Sequence, residues 1–117
     1  MMSTGTPVPR HKFIVYAPDM TDADALQRRL SVRPAHLEKA AEYIKGGMFK
    51  VAGAMLTPES IASPSAEKKM VGSVFICEAE SLEEVRQVMH SDVYYTSGVW
   101  DKEKLVILPV ALATQTL

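Results

Sequence analysis

The chain has 117 residues, enough for a single domain with its own hydrophobic core. Acidic and basic residues nearly balance, for a formal net charge of -1, and no basic stripe is visible along the sequence. Because nucleic-acid binding rests largely on positive charge, this balance argues against a nucleic-acid partner. The one cysteine, Cys77, cannot form an internal disulfide, and its apolar neighbours favour a buried thiol in a reducing compartment.

The start of the chain does not resemble a signal peptide. Residues 1–10 contain Ser, Thr, Gly and two prolines but no apolar stretch. We expect a flexible tail there, followed by one domain over residues 11–113. No run approaches the roughly 18 apolar residues that cross a bilayer, which predicts no membrane partner and a cytoplasmic location.

The first half of the domain begins with a predicted strand and a helical region. Residues 12–17 (KFIVYA) are apolar, aromatic and β-branched, which is typical of a strand. Thr21 followed by Asp24 resembles a helix capping box. Apolar residues at helical spacing follow, up to the two glycines at 46 and 47: Leu26, Leu30, Leu37, Ala41 and Ile44.

Pro34 lies inside this helical region. A proline there would remove a hydrogen bond and crowd the preceding turn. The sequence therefore predicts a short helix, a break at residues 31–33 that carries Arg33, and a second helix that starts at Pro34.

The second half of the domain is predicted to contain three strands and one helix. Residues 48–56 (MFKVAGAML) predict a strand in which Gly53 marks a bulge or a close backbone approach. Residues 57–69 form a loop that is long enough to be a lid or simply mobile. Residues 70–78 (MVGSVFICE) predict the next strand, and Ser81 with Glu84 is a capping box for a helix. Residues 91–100 are polar and aromatic, and residues 104–110 predict the last strand.

The order of these elements, βαββαβ, predicts an α+β ferredoxin-like fold, with a four-stranded antiparallel sheet and both helices on one face. An isolated sheet of this kind should alternate apolar and polar residues, because its second face meets water. The strands here carry continuous apolar runs instead, such as FIVY at residues 13–16 and VFIC at residues 74–77. A second copy of the chain would cover the second face, so we expect a homodimer of two sheets packed face to face.

Arg33 and His36 are the first candidates for a functional site. They stand three residues apart, so their side chains leave the same flank of a helix, and Tyr43 falls near them. A permanent cation beside a histidine can bind an anion and move a proton. The alternative is that Arg33 is a solvated cap and His36 a hydrogen-bonded helix residue.

Asp92, Ser73 and Tyr94 are further candidates. Asp92 follows a helix C-terminus, where a carboxylate is unfavourable unless a turn hydrogen bond or a cation holds it. Ser73 lies in an apolar strand and needs a partner, which is either a neighbouring carbonyl or a functional group. Tyr94 could line a pocket or belong to the core. The histidines and the cysteine show no metal-ligand spacing, so no metal or other cofactor is expected.

The sequence resembles the YCII-related family, small proteins of the dimeric α+β barrel superfamily, over residues 12–110. The matching motifs are RRLSVRPAHLEK (28–39), VAGAM (51–55), GSVFI (72–76), SLEEV (81–85) and SDVYYTSGVW (91–100). The resemblance implies a ferredoxin-like dimer, as the strands do, and a pocket in each subunit where His36 and Asp92 form an acid/base pair. Val93 and Ala54 stand where the family usually has proline, so the turn after Asp92 is expected to be reshaped.

Two functions are compatible with these residues. In the first, the protein is a cofactor-free lyase or isomerase of a small acidic or enolisable metabolite, for example an aromatic or muconate-like one. His36 removes a proton, Asp92 supports the imidazolium, and Arg33 holds a carboxylate or enolate. The resemblance supports this, since the family includes a dehydrochlorinase acting on a chlorinated hydroxymuconate. Three further side chains are expected to bind substrate: Ser73, Tyr43 and Tyr94. In the second, the protein is a noncatalytic module that only binds such a metabolite.

Overall fold

The computed structural model describes residues 8–114. The strands are β1 (His11–Pro18), β2 (Phe49–Leu56), β3 (Met70–Ala79) and β4 (Val106–Pro109). The helices are α1 (Ala25–Lys45), α2 (Leu82–Ser91) and α3 (Val93–Thr96), and a 3₁₀ turn spans Pro58–Ile61. Of the expected tail, residues 1–7 lie outside the described part, and residues 8–10 have no regular secondary structure.

The four strands form one antiparallel sheet in the order β2-β3-β1-β4. This order confirms the ferredoxin-like α+β fold predicted from the sequence. The inner face of the sheet packs against the helices and forms the core, together with Tyr94, Val99 and Trp100. Cys77 belongs to this core, and burial raises the pKa of its thiol to about 12. The predicted structural role of the cysteine is therefore confirmed.

The outer face of the sheet is apolar, and no helix of residues 8–114 covers it. The register pairs Tyr16 with Val106 on one side and with Val74 on the other, and Ile14 with Leu108 and Ile76. Tyr16 is 47% exposed and Leu108 55% exposed in the single chain. The apolar runs of the sequence therefore supply two faces of the sheet: one is buried by the helices, and the other is exposed to solvent in the single chain.

α1 is continuous through Pro34, so the predicted break at residues 31–33 is wrong. Arg29 and His36 lie seven residues apart, which is about two helical turns, and both are buried against groups of other elements. A break between them would take one of the two out of contact. The helix tolerates Pro34 because Leu30, whose carbonyl loses its donor, and Pro34 itself both lie on the exposed side, where water can replace the missing hydrogen bond.

The apolar stripe of α1 does not face the sheet. Leu30, Leu37 and Ile44 are between 44% and 53% exposed. The buried positions of the helix are instead small or polar: Ala25, Arg29, His36 and Ala40. The space between α1 and the sheet is occupied by a polar network rather than by leucines, which is a finding that the hydrophobic pattern alone could not reveal.

The helix ends differ in how they are capped. Ser81 Oγ accepts a hydrogen bond from the amide of Glu84 at 3.1 Å, which confirms the predicted cap of α2. At α1 the predicted capping box is wrong, because Asp24 makes no side-chain cap bond. Asp22 instead accepts from the amide of Asp24 and forms an ion pair with Arg28 at 2.8 Å.

The polar and aromatic region 91–100 contains α3. The predicted bulge at Gly53 is wrong: the register shifts of β2 lie at its two ends instead, and a Cβ at Gly53 would meet nothing within 4 Å. In the loop over residues 57–69, buried Ser60 Oγ accepts a hydrogen bond from the amide of Lys69 at 2.9 Å, which ties the 3₁₀ turn to the start of β3.

Candidate functional site

His36 and Asp92 meet between α1 and the junction of α2 with α3. His36 Nδ1 lies 2.9 Å and 3.0 Å from the two carboxylate oxygens of Asp92, and the His36 residue is only 8% exposed. An ionised carboxylate can only accept, so Nδ1 carries the hydrogen of this bond. Nε2 of His36 is therefore the ring nitrogen that remains to accept or donate a proton elsewhere.

The backbone around Asp92 fixes its direction. Asp92 is both the residue after α2 and the N-cap of α3, and its Oδ1 accepts a hydrogen bond from the amide of Tyr94 at 2.8 Å. Asp92 thus has both a turn hydrogen bond and a basic partner. The sequence offered these as alternatives. With Val93 as the next residue, the turn still directs the carboxylate of Asp92 to His36.

Tyr94 packs on the histidine. Its ring stacks on the His36 ring with 4.0 Å between centroids, and the Arg29 guanidinium carbon lies 4.5 Å from the Tyr94 centroid. Burial raises the pKa of the Tyr94 hydroxyl, so this group stays protonated at neutral pH. Tyr94 is therefore an uncharged side chain that packs against both His36 and Arg29.

A buried ion pair that was not predicted lies beside the histidine. Arg29 Nη1 donates to Asp19 Oδ1 at 2.8 Å, and the two side chains are 3% and 5% exposed. Burial raises the pKa of Asp19, and the positive charge of Arg29 opposes this effect. Among the described residues, Arg29 Nε and Asp19 Oδ2 are the two buried side-chain polar atoms without a hydrogen-bond partner. Such atoms are costly unless a ligand or water satisfies them.

Ser73 completes this network. Its Oγ accepts hydrogen bonds from Arg29 Nη2 at 3.0 Å and from Trp100 Nε1 at 3.2 Å. Both partners can only donate, so the hydroxyl hydrogen of Ser73 remains available. The predicted need of Ser73 for a partner is thus met by two side chains rather than by a neighbouring carbonyl. Trp100 is buried in the core.

A pocket of about 160 Å³ opens between α1 and the edge strand β2. His36, Arg29 and Tyr94 form its polar end, and Arg33 also lines it from an exposed position. The other walls are apolar or small: Leu37, Ala40, Ile44, Ala52, Ala54 and Phe75. The pocket therefore combines a basic end with an apolar slot.

Two of the predicted substrate-binding residues, Ser73 and Tyr43, lie outside this lining. Ser73 is 1% exposed, and Tyr43 packs on Phe49 with 5.1 Å between ring centroids. Arg33 is on the helix rather than at a break, because α1 is continuous. The structure thus brings together His36, Asp92, Ser73 and Tyr94 with a second arginine, Arg29. A signal for Arg29 existed in the sequence, since it lies two turns before His36 on the same helical face.

Two negative observations concern the part of the chain that the structure describes, residues 8–114. None of its helices has the length and apolar character needed to span a lipid bilayer. No three His, Cys, Asp or Glu side chains of that part lie together as a metal site would require.

The fold defines the class first: a ferredoxin-like α+β domain. A structural likeness agrees with this, since 5-chloro-2-hydroxyhydroquinone dehydrochlorinase (TftG) from Burkholderia phenoliruptrix, solved with 2,5-dihydroxybenzoquinone, superposes with a TM-score of 0.66. The likeness covers 82% of this chain and 89% of that one at 24% sequence identity.

The sequence comparisons define the family. The sequence model of the YCII-related domain matches residues 12–108, so the chain belongs to the YCII-related family. Fusaric acid biosynthesis protein 2 of Gibberella fujikuroi is 36% identical over 101 residues, which are 84% of this chain and 90% of that protein. Aspartate kinase FUB3 of Fusarium oxysporum is 33% identical over 102 residues, but the chain spans only 18% of that larger protein.

Proposed function

We propose that the protein is a cofactor-free lyase or isomerase of a small acidic or enolisable metabolite. The observation that carries this proposal is the 2.9 Å contact between His36 Nδ1 and Asp92, which leaves Nε2 as the working base of a residue that lines a pocket. A histidine held in one tautomer by a carboxylate is the arrangement that general base catalysis requires.

In this proposal His36 takes a proton from a hydroxyl group or from a carbon next to a carbonyl. Asp92 stabilises the resulting imidazolium. The electron pair left on the substrate then forms an enolate oxyanion, and expels a leaving group from the neighbouring carbon in an elimination or is reprotonated at another carbon in an isomerisation. In the isomerisation His36 returns the proton to the substrate, and in the elimination it passes the proton to water after the leaving group has departed with its bonding electrons. Neither reaction exchanges electrons with another molecule, so neither needs a redox cofactor.

Two arginines are proposed to hold the negative charge of the substrate. Arg29 is fixed by Asp19 and retains an unpartnered Nε, so it suits an oxyanion that develops during the reaction. Arg33 lines the pocket from an exposed position and forms no ion pair within residues 8–114, so it suits a carboxylate of the bound substrate. Tyr94 lines the same pocket, and Ser73, buried outside its lining, holds Arg29 Nη2 in position.

The names of the similar proteins support a role in small-molecule metabolism. One is a dehydrochlorinase, which catalyses an elimination, and another belongs to fusaric acid biosynthesis. The apolar slot of Leu37, Ile44 and Phe75 suits the flat, unsaturated part of an aromatic or muconate-like acid.

We further propose that the protein is a homodimer through the outer face of the sheet. An apolar face that includes Tyr16 and Leu108, about half exposed, is unfavourable in water. A second copy would cover it around a two-fold axis, because the same face is then buried on both partners.

The test of the enzymatic proposal uses 2,5-dihydroxybenzoquinone as a binding probe and 5-chloro-2-hydroxyhydroquinone as a trial substrate, with chloride release as the readout. His36→Ala should lower turnover by about a hundredfold or more while binding of the probe persists. His11→Ala is the matched control, since His11 is exposed and does not line the pocket. Turnover should also survive a chelator. Probe binding without turnover of this or related chlorinated and hydroxylated acids would favour the noncatalytic module.

A further inference from the structure

A second groove lies between α2 and the outer edge of β4, with a volume of about 430 Å³. Three basic side chains line it, two from α2 and one from the loop before β4: Arg86, His90 and Lys102. Tyr95 and the backbone of residues 105–108 form the remaining walls. The groove shares no lining residue with the His36 pocket.

Tyr95 holds two of the basic side chains in place. The ring of His90 stacks on the ring of Tyr95, with 4.4 Å between centroids and 18° between planes. Lys102 Nζ lies 4.6 Å from the centroid of the same ring. These contacts reduce the freedom of side chains that are otherwise exposed, so less ordering is needed when a ligand binds.

The positive charge of the groove is not neutralised by the described residues, 8–114. Arg10, Lys12, Arg28 and Arg29 each have a carboxylate within 4.0 Å, whereas Arg86 and Lys102 have none.

Lys102 lies between two acidic residues, Asp101 and Glu103, and neither lines the groove. Asp101 lies 4.0 Å from Lys104 and accepts a hydrogen bond from the amide of Glu103. On a chain whose net charge is -1, these unpaired cations form a local positive patch.

The edge of β4 adds a backbone donor. Val110 N donates to Lys12 O at 2.9 Å, so the alternate residues Leu108 and Val106 also direct their peptide groups to β1. The N–H and the C=O of Ile107 therefore both point away from β1, towards the outer edge where the groove lies.

We infer that this groove is a second binding site, for a small multivalent anion that carries carboxylate or phosphate groups. Arg86 and Lys102 supply permanent charge, His90 supplies a ring nitrogen, and the Ile107 amide supplies a neutral donor. The volume is that of a metabolite site. An extended peptide fits less well, because β4 is short and ends at Pro109, which has no amide hydrogen to continue a ladder.

The test titrates the full-length protein with inorganic pyrophosphate in one arm and with citrate in the other, followed by amide NMR spectra and calorimetry. We expect one saturable site, with changes in the amide chemical shifts of Ile107, Tyr95 and Lys102. The affinity should fall as the salt concentration is raised. A preference for pyrophosphate would identify a phosphate site, and a preference for citrate a carboxylate site.

The variants make the result specific. The double substitution Arg86→Gln with Lys102→Gln should weaken binding by about tenfold or more, which corresponds to about 1.4 kcal/mol. Lys104→Gln is the control and should change the affinity less than about twofold, because Lys104 does not line the groove. Equal binding by the double variant, shifts confined to the His36 pocket, or no saturable binding of either anion would each overturn the inference.

Discussion

Replacing Arg29 by Met tests whether the polar network under α1 is part of the structural core. The substitution removes the guanidinium but keeps an unbranched side chain. It leaves Asp19, which is 6% exposed, with its negative charge buried and without the cation that accompanies it. It also removes one of the two donors to Ser73.

The expected loss is large because an unpaired buried charge is costly. Removing one partner of a buried ion pair typically destabilises a protein by about 3–5 kcal/mol. The free energy of unfolding of a domain of this kind is about 5–15 kcal/mol, so Arg29→Met should consume much of it. Replacing both partners, Asp19→Leu with Arg29→Met, should restore most of the stability, since apolar side chains of similar size then fill the same space.

The assay is urea unfolding at neutral pH and one fixed protein concentration, because the stability of a dimer depends on concentration. Arg28→Met is the matched control. Arg28 pairs with Asp22 at the surface and donates to the carbonyl of Gly98, but its loss leaves no charge buried without a partner, so the destabilisation should be much smaller. The reasoning is refuted if Arg28→Met is as harmful as Arg29→Met, or if the double variant is no more stable than Arg29→Met alone.

Three further predictions concern other parts of the fold. Sedimentation at micromolar concentration should give a species near twice the 12.9 kDa chain mass, and Ile76→Lys on the outer sheet face should dissociate it; a soluble wild-type monomer would contradict this. The Arg28 hydrogen bond lowers the pKa of Asp22 to about 2, so the stabilising effect of this ion pair is present above the ordinary value of 3.8 and is lost as pH falls towards 2. Carbon NMR of the carboxyl groups in the wild type and in Arg28→Met checks this, and an Asp22 pKa that is the same in both would count against it. Cys77 should be inert to thiol reagents at pH near 8 until urea unfolds the protein, because burial raises its pKa to about 12; fast labelling of the folded protein would be inconsistent with that burial.

The sheet could be predicted from the sequence because its signal is local. Each strand is a short apolar run bounded by turn residues, and the order of strands and helices leaves few topologies. The cap at Ser81 was equally readable, since the serine and Glu84 are three residues apart in the chain.

The sequence alone could not predict that α1 continues through Pro34. Proline disfavours a helix interior, and only tertiary contacts on both sides of it decide otherwise. Those contacts join Arg29 to Asp19 and His36 to Asp92, which are 10 and 56 residues apart in sequence. The spacing of Leu30, Leu37 and Ile44 correctly predicts a helix. It does not show whether that apolar side of the helix is buried, and in the single chain it is exposed.

Part of the candidate site could be predicted from the sequence. His36, Asp92, Ser73 and Tyr94 were named from the chain, and the structure brings them together. Arg29 was not predicted, although it lies two helical turns before His36, because its partner Asp19 lies in a different segment of the chain. Arg29 is buried in an ion pair with Asp19, which directly follows β1 at a position where the sequence suggests only a turn.

The most direct test of the proposed chemistry is the tautomer of His36 in the native protein, read by heteronuclear NMR of its ring nitrogens. We predict that Nδ1 of the neutral His36 ring carries the hydrogen and that Nε2 does not, because Asp92 accepts a hydrogen bond from Nδ1. Asp92→Ala should remove this preference, while the spectra of His11 and His90 stay unchanged. A hydrogen on Nε2 in the wild type, or a His36 spectrum that does not respond to Asp92→Ala, would contradict the role of His36 as a base oriented by Asp92.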